Sequence, residues 1–169
     1  MQNWTDVPVC LDSEGAQIRN QDMKGESVLF KEGDEVKIHF DPVIGDSNNI
    51  SFSPDSVSRQ FQIGDRIKAD FNAVCFRIEK VEDLDLVAVV ERSVHVGSNK
   101  AADIVREVKL DAITVKDHDA FIIDLDMGVR NFSLSFANSA KDIKSIRNII
   151  GYKTNLISKF PKLKVSAGY

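Results

Sequence analysis

Between Gly25 and Leu110 the apolar residues recur at every second position in short bursts. The bursts are Ser27-Val28-Leu29-Phe30, Glu35-Val36-Lys37-Ile38-His39-Phe40, Arg66-Ile67-Lys68-Ala69-Asp70, Val74-Cys75-Phe76-Arg77-Ile78-Glu79 and Leu86-Val87-Ala88-Val89-Val90. Gly33-Asp34, Ile44-Gly45-Asp46-Ser47-Asn48-Asn49 and Gly64-Asp65 punctuate them. A period of two puts alternate side chains on one buried face, and Gly/Asp/Asn clusters supply the turns, so this stretch predicts antiparallel strands closing into a small β-barrel or sandwich. Upstream, Val7-Pro8-Val9-Cys10-Leu11 is an unbroken apolar run that predicts a buried strand.

After Leu110 the period lengthens. Thr114 and Asp117 form a helix-start signature, and Phe121, Ile122, Leu125 and Met127 follow as an apolar stripe that stops at Gly128. Asn131-Phe132-Ser133-Leu134-Ser135-Phe136 then predicts a buried strand. Ser139 with Asp142 opens a second helix, carrying Ile143, Ile146, Ile149 and Ile150 to a stop at Gly151, and Asn155-Leu156-Ile157-Ser158-Lys159 predicts another strand. Strand, helix, strand with short connections is a βαβ unit, whose two strands run parallel. The fold class predicted is mixed α and β: a small antiparallel β-barrel plus a βαβ segment.

Composition narrows the function classes. The chain has 169 residues, 43% hydrophobic and 28% charged, the balance of a globular protein. Its net charge of −4 argues against nucleic acid and anionic membranes as partners, since both call for a basic face. No run approaches a membrane span and no signal segment opens the chain. Cys10 and Cys75 sit inside apolar runs without metal-ligand spacing, which predicts buried free thiols and a reducing, cytoplasmic setting. His39, His95 and His118 share no ligand spacing. The acidic groups Glu82-Asp83-Leu84-Asp85 and Asp124-Leu125-Asp126 read as a hairpin turn and a solvated helix face.

Candidate chemistry gathers where the first strand ends, in Cys10-Leu11-Asp12-Ser13-Glu14-Gly15-Ala16-Gln17-Ile18-Arg19. On the residues alone, Asp12 and Ser13 make an ordinary turn with Gly15, and Arg19 is a surface cation. This stretch, however, resembles the DTKGPEIRTG motif of pyruvate kinases. Gly64-Asp65 with Ile67, Phe76 and Ile78 is similar to that family's GD-containing stretch, and Ser98-Asn99-Lys100 to the start of its SRKGVNLPG segment. Leu110 to Asp117 resembles LPALTEKD, Leu134 to Asp142 resembles SFVRSAEDV, and Ile157-Ser158-Lys159-Phe160 resembles IIAKIE. Six motifs stand in the family's order over residues 7 to 160.

The resemblance implies a (β/α)-barrel enzyme that moves a phosphoryl group from phosphoenolpyruvate to ADP with K⁺ and Mg²⁺, with an inserted B domain as a lid. It divides the chain into a barrel strand and strand-end loop at 1–20, a β-barrel like the B domain at 21–109, and a βαβ piece of a partial (β/α) barrel, strands three to five, at 110–169. By resemblance, Asp12 and Ser13 hold the monovalent cation, Arg19 reaches toward phosphate, Lys159 neutralises the moving phosphoryl group and Lys100 approaches the nucleotide phosphates. Pro161 stands where the family carries a Mg²⁺-ligating glutamate, and a proline side chain offers a metal no donor.

Three readings follow. In the first, this is a pyruvate kinase-like chain, incomplete or inactive alone, acting on ligands like phosphoenolpyruvate and ADP. The second is a non-catalytic pseudoenzyme remnant that recognises a partner chain or a small phosphorylated metabolite. The third is a phosphate-metabolite binder using Arg19, Lys100 and Lys159 without Mg²⁺. Three strands cannot close an eight-stranded barrel, so self-association or a partner chain is expected to cover the unpaired edges.

Overall fold

A computed structural model describes residues 7–15, 17–70, 73–137 and 139–158. The chain divides into two compact units, Gln17–Leu110 and the pair of segments Met1–Ala16 and Asp111–Tyr169. It is a mixed α and β protein, and among the described residues no helix is long and apolar enough to cross a membrane.

The first unit contains a closed barrel. Its strands are β2 (Ile18–Asn20), β4 (Glu35–His39), β5 (Asn49–Ser53), β6 (Arg66–Ala69), β7 (Val74–Val81), β8 (Asp85–Val90) and β10 (Ala101–Ile104), in the spatial order β10-β2-β5-β4-β8-β7-β6. A separate ribbon pairs β3 (Val28–Phe30) with β9 (Val94–Val96). The alternation reads through directly on β7: Val74, Phe76 and Ile78 are fully buried, while Cys75 and Arg77 between them are half-buried. Phe76 is a hub of the interior, with its ring edge-on to Phe30 at 5.1 Å and to Phe52 at 6.5 Å between centroids.

Three strands escaped the sequence pattern, each for a local reason. β5 begins inside what reads as a turn, at Asn49, and buries Ile50, Ser51 and Phe52 consecutively, which hides its period. β10 is built on Ala-Ala-Asp, poor strand formers, and β2 is only three residues long. The β4–β5 pair is parallel, whereas the other barrel pairs are antiparallel.

The second unit holds a parallel sheet in the order β1-β11-β12, formed by β1 (Cys10–Asp12), β11 (Asn131–Leu134) and β12 (Asn155–Ser158) among the described residues. Two helices accompany it, α1 (Val115–Asp126) and α2 (Ala140–Ile150), and β11-α2-β12 is the βαβ unit. Phe121, Phe132, Leu134, Ile146 and Ile150 form its core, with Phe121 edge-on to Phe132 at 5.8 Å. Both helices start with reciprocal capping boxes, Thr114 with Asp117 and Ser139 with Asp142.

Three expectations need correction. The Val7–Leu11 run is no buried strand: Val9 and Leu11 are half-buried against the core, but Cys10 points the other way and is exposed. Nor are the thiols buried; Cys10 is exposed and Cys75 half-buried, because each occupies the outward position of an alternating strand. Of the apolar stripe on and just past α1 only Phe121 is fully buried and Leu125 partly, while Ile122 and Met127 are 42% and 48% exposed. The inward stripe runs through residues 117, 121 and 125, four apart, and Ile122 lies about 100° around the helix from it.

Candidate functional site

The loop that leaves β1 is fixed from two sides. On one side is the end of β11: the Ser13 N–H donates to the Ser133 carbonyl at 2.9 Å, and Ser13 Oγ accepts the Ser135 N–H at 3.0 Å. The Ser135 hydroxyl donates to Asp12 Oδ1 at 2.9 Å. Register explains the meeting, for Asp12 lies directly opposite Ser133 on the parallel ladder, so the two strand ends face each other. Gly15 has φ +72° and lies against the Ser135 carbonyl. Phe136, next along, holds φ +58°, a strained conformation for an aromatic residue.

On the other side is the first turn of α1. Asp117, 4% exposed, accepts the Glu14 N–H at Oδ1, 2.8 Å away, and the Gly15 N–H at Oδ2, 3.2 Å away. Lys116 pairs with the Glu14 carboxylate above it. The arrangement presents a carboxylate and hydroxyl oxygens at the carboxyl ends of parallel strands, where α/β proteins place their sites. Ser133 contributes a further buried hydroxyl without a hydrogen-bond partner among the described residues.

The barrel unit positions the basic candidates. Arg19 lies opposite Ala101 in the β2–β10 ladder, and its Nη1 donates to the Asn99 carbonyl at 2.9 Å. Its Nε is buried and has no acceptor among the described residues, leaving a donor in hand. Asn20, 1% exposed, straps the turn that carries Lys100: its Nδ2 donates to the Gly97 carbonyl at 2.9 Å and its Oδ1 accepts the Lys100 N–H at 2.8 Å. The Lys100 stem passes beside Gly97, where a Cβ would meet Lys100 Cε at 3.2 Å. Arg19 on β2 and Lys100, in the turn just before β10, therefore belong to one unit, while Asp12 and Ser13 belong to the other. Lys159 and Pro161 lie outside the described residues.

Sequence reasoning missed Ser135, Asp117 and Asn20. Asp117 carried a signal, its place in a capping box, but that signal gave no hint of the loop 102 residues upstream. Asn20 reads as a strand-end polar residue until the turn at 97–100 is seen folded over it.

Among the described residues no three His, Cys, Asp or Glu side chains gather as a metal cluster. The Asp12, Ser13 and Ser135 oxygens are hard donors, of the type that holds hard cations rather than soft ones.

Comparison with known proteins gives one consistent family. The profile of the pyruvate kinase barrel domain matches residues 1–168. Pyruvate kinase of Clostridium acetobutylicum is 25% identical over 146 residues, covering 85% of this chain and 31% of that protein. The Mycobacterium intracellulare enzyme is 25% identical over 160 residues (92% and 34%), and that of Lactobacillus delbrueckii subsp. bulgaricus 26% over 165 (95% and 28%). The chain thus spans about a third of the length of the curated relatives it matches.

Proposed function

Because this chain belongs to the pyruvate kinase family, we propose that it contributes part of a site for phosphoryl transfer between phosphoenolpyruvate and ADP, and that it does not turn over alone. Phosphoryl transfer depends on positioning and on neutralising charge at the moving group. Arg19, Lys100 and Lys159 provide the cationic side chains for it. Asp12 and Ser13 hold a monovalent cation, which adds fixed positive charge near the phosphate. The observation that carries this reading is the Asp12–Ser135 oxygen pair, fixed at the strand ends beside Ser13. Mg²⁺ is assigned no ligand in this chain: Pro161 offers no donor, and Mg²⁺ is commonly held through substrate phosphates with only one or two carboxylates. A reducing, cytoplasmic setting suits the two free thiols.

Calorimetric titration of the full chain with phosphoenolpyruvate and with ADP, each with and without K⁺ and Mg²⁺, tests this. The expected result is K⁺-dependent binding of phosphoenolpyruvate that Arg19→Ala and Lys159→Ala weaken, with no pyruvate formed from phosphoenolpyruvate and ADP. A folded chain that gives no heat with either ligand overturns it.

That outcome favours a second reading, an interaction module. β1 and β12 each pair on one side only among the described residues, and Ile157 on β12 is 63% exposed. Unpaired strand edges accept other strands. Sedimentation then distinguishes self-association from capture of a different chain.

A further inference from the structure

The structure assigns Asp117 a task beyond capping: we infer that it is a positioning residue for the Asp12–Ser13 pair, and this rests on the reading of that pair as a cation site. A cap needs only the Asp117 carboxylate accepting the Thr114 N–H, as it does at 3.2 Å, and the Thr114 hydroxyl accepting the Asp117 N–H, at 3.0 Å; the same hydroxyl also donates to Asp117 Oδ2 at 2.9 Å. The other bonds reach across the sequence to two consecutive amides, those of Glu14 and Gly15. Four donors converge on one buried carboxylate, the Glu14 N–H at Oδ1 and the other three at Oδ2. The comparable box at α2 differs in setting, since Asp142 there meets the Ser139 N–H in an exposed bond.

Geometry gives the consequence. Asp12 and Ser13 are joined to β11 through Ser133 and Ser135, and the next two residues are held by Asp117, so the turn is pinned at both ends. Gly15 cannot retreat toward β11, because the Ser135 carbonyl already fills the space where its Cβ would be. Without the Asp117 carboxylate, two amide groups lose their acceptor and must turn to find water, which is costly for buried groups. That rotation passes directly to Ser13 and Asp12 and misplaces the cation-holding oxygens. Residues that orient ligands in this way typically change metal affinity by 10 to 100-fold when removed.

Thallous ion, a monovalent cation close to K⁺ in size, is the probe, read by ²⁰⁵Tl NMR on the full chain beside amide hydrogen exchange at Glu14 and Gly15. Asp117→Ala is expected to accelerate exchange at both amides and weaken thallous binding about tenfold or more. Asp117→Asn, which keeps one acceptor oxygen, should fall between it and the wild type and remains informative if the alanine variant does not fold. Thr114→Ala removes the cap hydroxyl, which is also one of the four donors on Asp117, but leaves the Glu14 and Gly15 amides their acceptor, and it should bind thallous ion as the wild type does. Equal losses in Thr114→Ala and Asp117→Ala, or undiminished binding in Asp117→Ala and Asp117→Asn, overturn the positioning role and leave the cation site standing. A wild-type chain that binds no thallous ion overturns the cation site itself, and the positioning role with it.

Discussion

Gly15 lies so close to Ser135 that a Cβ added to it would sit 2.2 Å from the Ser135 carbonyl oxygen. The obstacle is backbone, which cannot swing aside as a side chain would. Gly15 also has φ +72°, a conformation that costs other residues about 1–3 kcal/mol. Gly15→Ala is therefore expected to lower stability by at least that amount and to break the Asp12–Ser135 hydrogen bond by forcing the strands apart. Urea unfolding followed by circular dichroism measures the first, and the Ser135 hydroxyl or amide resonance the second; unchanged values would refute the close approach.

Glu91 contributes to the acid response of the barrel surface. Arg66 grips its carboxylate with Nε at 2.8 Å and Nη2 at 3.1 Å, Arg77 Nε adds 2.7 Å, and the Cys75 thiol donates at 3.3 Å. Arg66 foremost, then Cys75 and Arg77, bring its pKa from the ordinary 4.5 down to about 2. A depressed folded-state value stabilises above the unfolded pKa and is lost as protons are bound, so this contribution is present above pH 4.5 and disappears between there and pH 2. Glu91→Gln should flatten the dependence of the unfolding midpoint on pH inside that window. A wild-type profile already flat there would contradict the network.

The two thiols should react at different rates. Cys10 is exposed on β1, whereas Cys75 is half-buried and its pKa is raised, chiefly by burial and then by the Glu91 carboxylate that accepts its hydrogen. Thiolate is the reactive form, so an aromatic disulfide reagent at pH 8 is expected to show one fast and one slow phase. Cys10→Ser should delete the fast phase; loss of the slow phase instead would reverse the assignment.

Phe76 is the core residue whose loss the barrel should feel most. It is fully buried and touches the rings of both Phe30 and Phe52. Phe76→Ala is expected to cost about 3–5 kcal/mol through lost transfer energy and the cavity left behind. Calorimetric melting of the variant provides the check, and a shift no larger than that of a surface substitution would be inconsistent with this packing.

Period and capping made much of the fold legible. Val74, Phe76 and Ile78 alternate with polar neighbours, and Thr114 and Ser139 announce their helices, because these signals are local and repeat. Short strands carry too few residues to show a period, so Ile18–Asn20 and Ala101–Ile104 emerge only from their pairing. The site was half legible. Asp12, Ser13, Arg19 and Lys100 stand in recognisable motifs, but Asp117 and Asn20 act on segments 102 and 77 residues away. No local pattern encodes contacts of that range.

The β2 and β10 strands, where the barrel's chain enters and leaves, are hydrogen-bonded neighbours, Arg19 opposite Ala101. Paired strands stand about 4.8 Å apart, so the barrel's first and last strands close its seam side by side, and the chain then runs on through residues 105–110, where Arg106 and Lys109 bond to Gln60. Such a barrel is a cassette: its hydrogen-bonded circuit is complete within residues 18–104, so it asks no strand of the chain on either side to finish its sheet. Permuted or shortened descendants of the same chain are thereby open to evolution and to the protein engineer alike.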